Sequence, residues 1–220
     1  MAIEDSKHAI YELQGLERGS LRIGASTNPG MYLIPQIIAR FKLRHPKIEV
    51  HLGIRDTKRV EEGVIRNEYD FGFVGGHLLG DQVDVLPWMT DQLLLVVAPT
   101  HRLARKKAVK PEDLRQEKFI LRELGSATRA TIVSNLKRSN LTVDTVMEME
   151  NPESVKKAIQ SALGIAFISK YAVDNELKAR SLVAVRVRGL DISRELKIVY
   201  RKDKHVSRAA QTFISMAQIN

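Results

Sequence analysis

The chain has 220 residues, 44% of them hydrophobic and 28% charged, which fits a globular protein and excludes disordered or fibrous classes. It has no cysteine, which excludes a disulfide framework, a thiolate metal site and a cysteine nucleophile. The net charge of +9 points to an anionic partner, and most of the excess lies in residues 95–191.

Residues 2–16 read as a helix with a sparse apolar stripe of Ile3, Ile10 and Leu13, ended by Gly15 and Gly19. Leu21 to Ala25 alternates and predicts a strand. Ile34, Ile37, Ile38 and Phe41 fall on one helical face, and His45-Pro46 stops it. Ile48, Val50, Leu52 and Ile54 alternate strictly. Asp56 caps a short helix with Val60 and Val64 inward. Tyr69 to Val74 is a third strand, closed by Gly75-Gly76. Strand, helix, strand, helix, strand is the pattern of a parallel sheet.

Gln92 to Ala98 is a long apolar strand. After it comes the densest basic run, Arg102 to Lys110, without interleaved aromatics, which reads as a solvated face rather than a nucleic-acid site. The first pattern then returns. Phe119–Leu121 is a strand, and residues 128–139 a helix with Ile132, Val133 and Leu136 on one face. Val143–Met149 is a strand. Asn151-Pro152 opens a helix lined by Val155, Ile159 and Leu163. Gly164–Ile168 is the next strand. Leu196, Ile198 and Tyr200 alternate before a helix from about Val206 to Ala217. Two similar α/β lobes follow, and a returning last strand and helix would make two crossings between them. A cleft between lobes is the expected ligand site.

Both repeats place hydroxyls between the first strand and a helix: Ser26 and Thr27 in one, Ser126 and Thr128 in the other. Helix starts at the carboxyl ends of parallel strands offer N–H groups and a positive dipole end, which suits an anion. Helix capping is the simpler reading of any one of them. Gly75 and Gly76 could let a ligand approach the backbone. Arg129 could pair with an anion or with Glu123; the pair with Glu123 is favoured. No catalytic constellation, metal spacing or phosphate loop is present. No cofactor is expected. His51 reads as an exposed strand residue, and Trp88 and Tyr32 as core or wall aromatics.

The chain resembles the effector-binding domain of LysR-type transcriptional regulators over nearly its whole length. The resemblance rests on Leu21–Ser26, Leu33-Ile-Pro35 with Phe41 and His45-Pro46, and Tyr69–Val74. Further along it rests on Val97-Ala-Pro99 with His101-Arg-Leu103, Glu123–Arg129 and Gly164–Ile168. It implies an α/β fold of two Rossmann-like lobes joined by two crossover strands, like type 2 periplasmic binding proteins. The implied domains are 1–18 as the end of a linker helix, 19–94 with 192–220 as the first lobe, and 95–191 as the second. The resemblance adds Asn151 and Ser154 as ligand contacts and implies a non-enzymatic sensor. Its partners would be a small anionic effector in the cleft and a second copy, the full-length protein forming tetramers. DNA would be bound only through an N-terminal helix-turn-helix with no counterpart here. No signal peptide or apolar run of membrane-spanning length is seen, so a cytoplasmic location is expected. The Gly-Ser-x-Thr-Arg segment looks most like branches that sense small inorganic or carboxylate anions, as in sulfur metabolism or carbon fixation. A transporter's solute-binding protein of the same fold is the alternative.

Overall fold

A computed structural model describes residues 19–76, 78, 80–203 and 206–219. The helix expected at 2–16, and with it the linker segment 1–18, lies outside the described residues. In chain order the first elements are β1 (Gly19–Ser26), α1 (Thr27–Tyr32), α2 (Ile34–Arg44), β2 (Ile48–Arg55), α3 (Thr57–Ile65), β3 (Phe71–Gly75) and β4 (Val83–Val97). Then come β5 (Ala108–Val109), β6 (Lys118–Arg122), α4 (Ala127–Arg138), β7 (Asp144–Met149), α5 (Pro152–Gln160) and β8 (Ala166–Ser169). The last are α6 (Lys170–Lys178), β9 (Val183–Val187), β10 (Ile192–Arg201) and α7 (Arg208–Gln218). The chain divides into two compact units, Met1–Met89 with Leu196–Asn220, and Thr90–Glu195.

In the first unit β1 lies between β2 and β3 and runs parallel to both. β1 alternates, and Leu21, Ile23 and Ala25, which share one face, are fully buried. β10 runs antiparallel along β3, with Ile198 opposite Phe73. The apolar stripe of α2 (Ile34, Ile37, Phe41) and that of α7 (Phe213, Ile214) join these strands in one core. Gly24 and Gly53 are register partners on β1 and β2, and a Cβ on Gly24 would stand 2.6 Å from the Tyr69 ring. The paired glycines make the slot that the ring fills.

The second unit repeats the plan. β6 and β7 are parallel, and Phe119 of β6 bridges in parallel to Ile165, just before β8. β8 runs antiparallel to β4, as β3 does to β10. β4 also pairs with β9, and β9 with β5. β5, β9 and α6 are additional to the elements expected from the sequence, although Val183, Val185 and Val187 of β9 alternate; β5 is only two residues long. Two expected core positions fail. Val133 is 43% exposed, because α4 buries only the Ile132 and Leu136 side. Leu163 is 47% exposed, because α5 ends at Gln160 and Ala162 takes a positive φ that turns the chain.

Candidate functional site

Parallel pairing carries the ends of β1, β2 and β3 to one edge of the first sheet. Ser26, the last residue of β1, stands opposite Arg55 at the end of β2. Ser26 flanks α1 but makes no side-chain cap bond. It is 8% exposed, and neither its hydroxyl nor that of Thr27 has a hydrogen-bond partner among the described residues. Asn28 follows, 6% exposed, and its Oδ1 has no partner among them either. A buried amide oxygen without a partner is costly. Sequence reasoning missed Asn28, although it adjoins the two hydroxyls it singled out. The Gly75 carbonyl accepts from Thr57 Oγ1 at 2.9 Å, and Gly76 has φ of 98°.

The matching edge of the second unit is built differently. Ser126 caps α4, its hydroxyl accepting from the Arg129 N–H at 3.5 Å. Asn151 caps α5, its Oδ1 accepting from the Ser154 N–H at 2.9 Å and the Ser154 hydroxyl at 3.1 Å. Thr128, 7% exposed, accepts from Arg194 Nη1 at 2.8 Å. The Arg194 guanidinium also grips Asp91 Oδ2 through Nε (3.0 Å) and Nη2 (2.8 Å). Ser169, at the end of β8, donates to Asp91 Oδ1 at 2.7 Å. Asp91 is fully buried and the Arg194 side chain nearly so. This relay was invisible to motif reading, because Asp91 and Arg194 are 103 residues apart and neither sits in a motif.

Arg129 does not pair with Glu123, as the sequence favoured. Arg122 takes Glu123 in a two-pronged bond of 2.7 and 2.8 Å, and donates to the Glu150 carbonyl. Arg129 pairs instead with Glu148 on β7 and donates to the Arg122 carbonyl. The β6–β7 pairing, Arg122 opposite Met149, brings Glu148 alongside. The bond from Arg129, with help from the Leu124 N–H, holds the Glu148 carboxyl below the ordinary glutamate range. The edge therefore balances two cations with two carboxylates.

The basic run is a 3-10 turn, a short loop and β5, with Leu103 and Val109 buried beneath it. Arg102 pairs with Glu117 at 2.5 Å and Lys106 with Asp113 at 3.7 Å. Trp88 is half-buried on Phe73, its indole donating to the Ala217 carbonyl at 2.8 Å, and His51 is exposed. Among the described residues no group of three or more His, Asp or Glu could hold a metal ion, and no helix is long and apolar enough to cross a membrane.

Two α/β units of this topology, each with polar helix starts at the carboxyl ends of its strands, define a type 2 periplasmic-binding-protein-like ligand-binding domain. The LysR substrate binding domain profile matches residues 14–219, and the chain belongs to that family. It is an effector-binding domain of the LysR type. It is similar to a probable RuBisCO transcriptional regulator of Cyanophora paradoxa, 33% identical over 96% of this chain and 67% of the relative. A probable RuBisCO transcriptional regulator of Synechocystis sp. is 32% identical over 96% of this chain and 63% of the relative. The chain thus spans about two thirds of these relatives. Among solved structures, the CcmR regulatory domain of Synechocystis PCC6803 in complex with 2-PG is 26% identical, with TM-score 0.85 over 92% of this chain and 97% of that one. The cofactor-binding domain of the Cbl regulator shares the fold at TM-score 0.84, with 19% identity over 92% and 89% of the two chains. These relatives are transcriptional regulators rather than enzymes, and they set aside the transporter alternative.

Proposed function

We propose that this chain senses a small anion for a LysR-type regulator and holds it with the polar groups at the strand ends of its units. The observation that carries the reading is the similarity to a regulatory domain solved with 2-PG, 2-phosphoglycolate. In the first unit Ser26, Thr27, Gly75 and Gly76 are the proposed contacts, with Asn28 added by its open amide oxygen. In the second, the Ser126 and Thr128 hydroxyls are donors to the ligand, while Asn151 and Ser154 bring helix-start N–H groups already fixed by a cap. Calorimetric titration with 2-phosphoglycolate, phosphate, sulfate, sulfite and small carboxylates tests this. Saturable binding of at least one is expected, and no binding at millimolar concentration overturns it.

The proposed assembly is a two-fold dimer, within a tetramer for the full-length protein. β2 and β7 each pair with only one neighbour among the described strands, so each has an open edge, and Leu43 on α2 is 84% exposed. Sedimentation should show a dimer at tens of micromolar; monomer alone would count against it. DNA binding is assigned to a separate N-terminal domain and the location to the cytoplasm. A gel shift with this chain alone should give no sequence-selective complex, and one that resists salt would reopen the basic run.

A further inference from the structure

The basic run gains a second row of cations once its sheet forms. β5 lies at the end of the sheet and pairs in parallel with β9, Ala108 opposite Arg186 and Val109 opposite Val187. The Arg188 N–H donates to the Val109 carbonyl at 2.8 Å, which sets Arg188 beside Lys110. Val109, Val185 and Val187 turn into the core of the second unit. Alternation then turns Arg186, Arg188 and Lys110 outward, and all three are exposed, as is Lys107. Lys107, Lys110, Arg186 and Arg188 have no ion-pair partner among the described residues, whereas Arg102 is engaged by Glu117 and Lys106 by Asp113. Lysines beside an open edge strand are explained by edge protection. That explanation does not reach Arg186 and Arg188, because β9 is an inner strand with β4 on its other side. Like charges side by side on paired strands repel, and an anionic partner relieves that cost.

We propose that Lys107, Lys110, Arg186 and Arg188 form a contact surface for the phosphate backbone of duplex DNA, adding sequence-independent affinity to the regulator. Backbone contact needs cations but neither aromatics nor a reading helix, so the features missing from the basic run are not required. The inference rests on the reading of this chain as part of a DNA-bound regulator. A surface tethered to DNA through another domain works at a roughly millimolar effective concentration, enough to fill a site whose own dissociation constant is about 0.1 mM.

Fluorescence anisotropy of this chain on a labelled duplex tests it, with thermal melts as the folding check. Contacts from these cations to about four phosphates give a slope of about −3.6 in log affinity against log salt, so affinity should fall roughly 100-fold between 50 mM and 200 mM salt. Arg186→Gln with Arg188→Gln should reduce the slope to about −1.8 and the fall over the same range to roughly 10-fold. Lys107→Gln with Lys110→Gln, in the other row, should do the same and keeps the test open if the first pair does not fold. Arg44→Gln with Lys47→Gln, exposed in the first unit, removes the same charge and should leave the slope unchanged. Equal changes in all three variants would show attraction to net charge alone and would overturn the inference. So would an unchanged slope in both surface variants, or no wild-type binding at the lower salt. A second duplex of unrelated sequence should bind equally; a preference above about tenfold would mean base reading and would also overturn it. If Arg186 and Arg188 govern binding to phosphatidylserine vesicles and not to the duplex, the surface belongs to a membrane and the inference fails. A gel shift of the full-length protein tests the underlying reading separately. Selective binding there, with no backbone contact here, overturns the inference alone.

Discussion

The two units share a plan and differ at the edge that matters. In the first, Ser26 makes no cap bond, and Asn28 carries a buried oxygen without a partner among the described residues. In the second, caps, a buried ion pair and a four-residue relay engage nearly every polar group. The same topology thus supports an edge left open to a ligand and an edge wired in advance. Where the hydroxyls are wired, they act first as structure, and their value to a ligand lies in fixed direction. Where they are open, substitution should be nearly silent until ligand is added.

The largest effect is expected in binding. Changing Thr27 and Ser126 together to Ala should weaken anion affinity by roughly 3–6 kcal/mol, if both bonds reach the ligand and add. Calorimetry decides it, and unchanged affinity would reduce both residues to local structure. Arg194→Met should come next, destabilising the chain by about 3–5 kcal/mol in urea unfolding, because it leaves Asp91 charged and buried without its partner. A loss below about 1 kcal/mol would mean that the relay is dispensable and the contrast between the edges superficial.

Gly24→Ala should cost about 1–3 kcal/mol, since the new methyl meets the Tyr69 ring and overpacked sites respond on that scale. Caps sharpen the comparison further. Asn151→Ala should cost about 1 kcal/mol, whereas Ser26→Ala, which removes no cap bond, should fall within about 0.5 kcal/mol without ligand. Equal losses would erase the distinction.

The smallest effect concerns pH. The Glu148 carboxyl is lowered in the folded state by Arg129 and the Leu124 N–H. Its contribution is therefore fully present above the unfolded glutamate value and fades as pH falls through the lower folded value. Glu148→Gln should flatten that part of the stability profile between neutral pH and pH 3. A profile that superimposes on wild type would contradict the pairing.

The alternating and helical apolar periods of Leu21–Ala25, Ile34–Phe41 and Ile48–Ile54 were enough to read the parallel triple of the first unit. The return of that order after Phe119 was enough to read the second. Caps at Asp56, Ser126 and Asn151 were legible for the same reason: each depends on a side chain and an N–H three residues away. Burial pattern in the second unit was less legible. α4 carries few apolar residues, so its period did not determine that Val133 faces outward.

Local sequence determined where strands, helices and their polar starts would fall, because those depend on spacings of two to four residues. Tertiary structure alone decided the partners. Glu148 rather than Glu123 meets Arg129 because β6 and β7 pair in one register. Asp91 and Arg194 meet across 103 residues because β4 and β10 bring the two ends of the second unit together. No period or motif encodes such an encounter. It exists only once the sheet has formed, when burying one charge leaves the other as the group able to satisfy it.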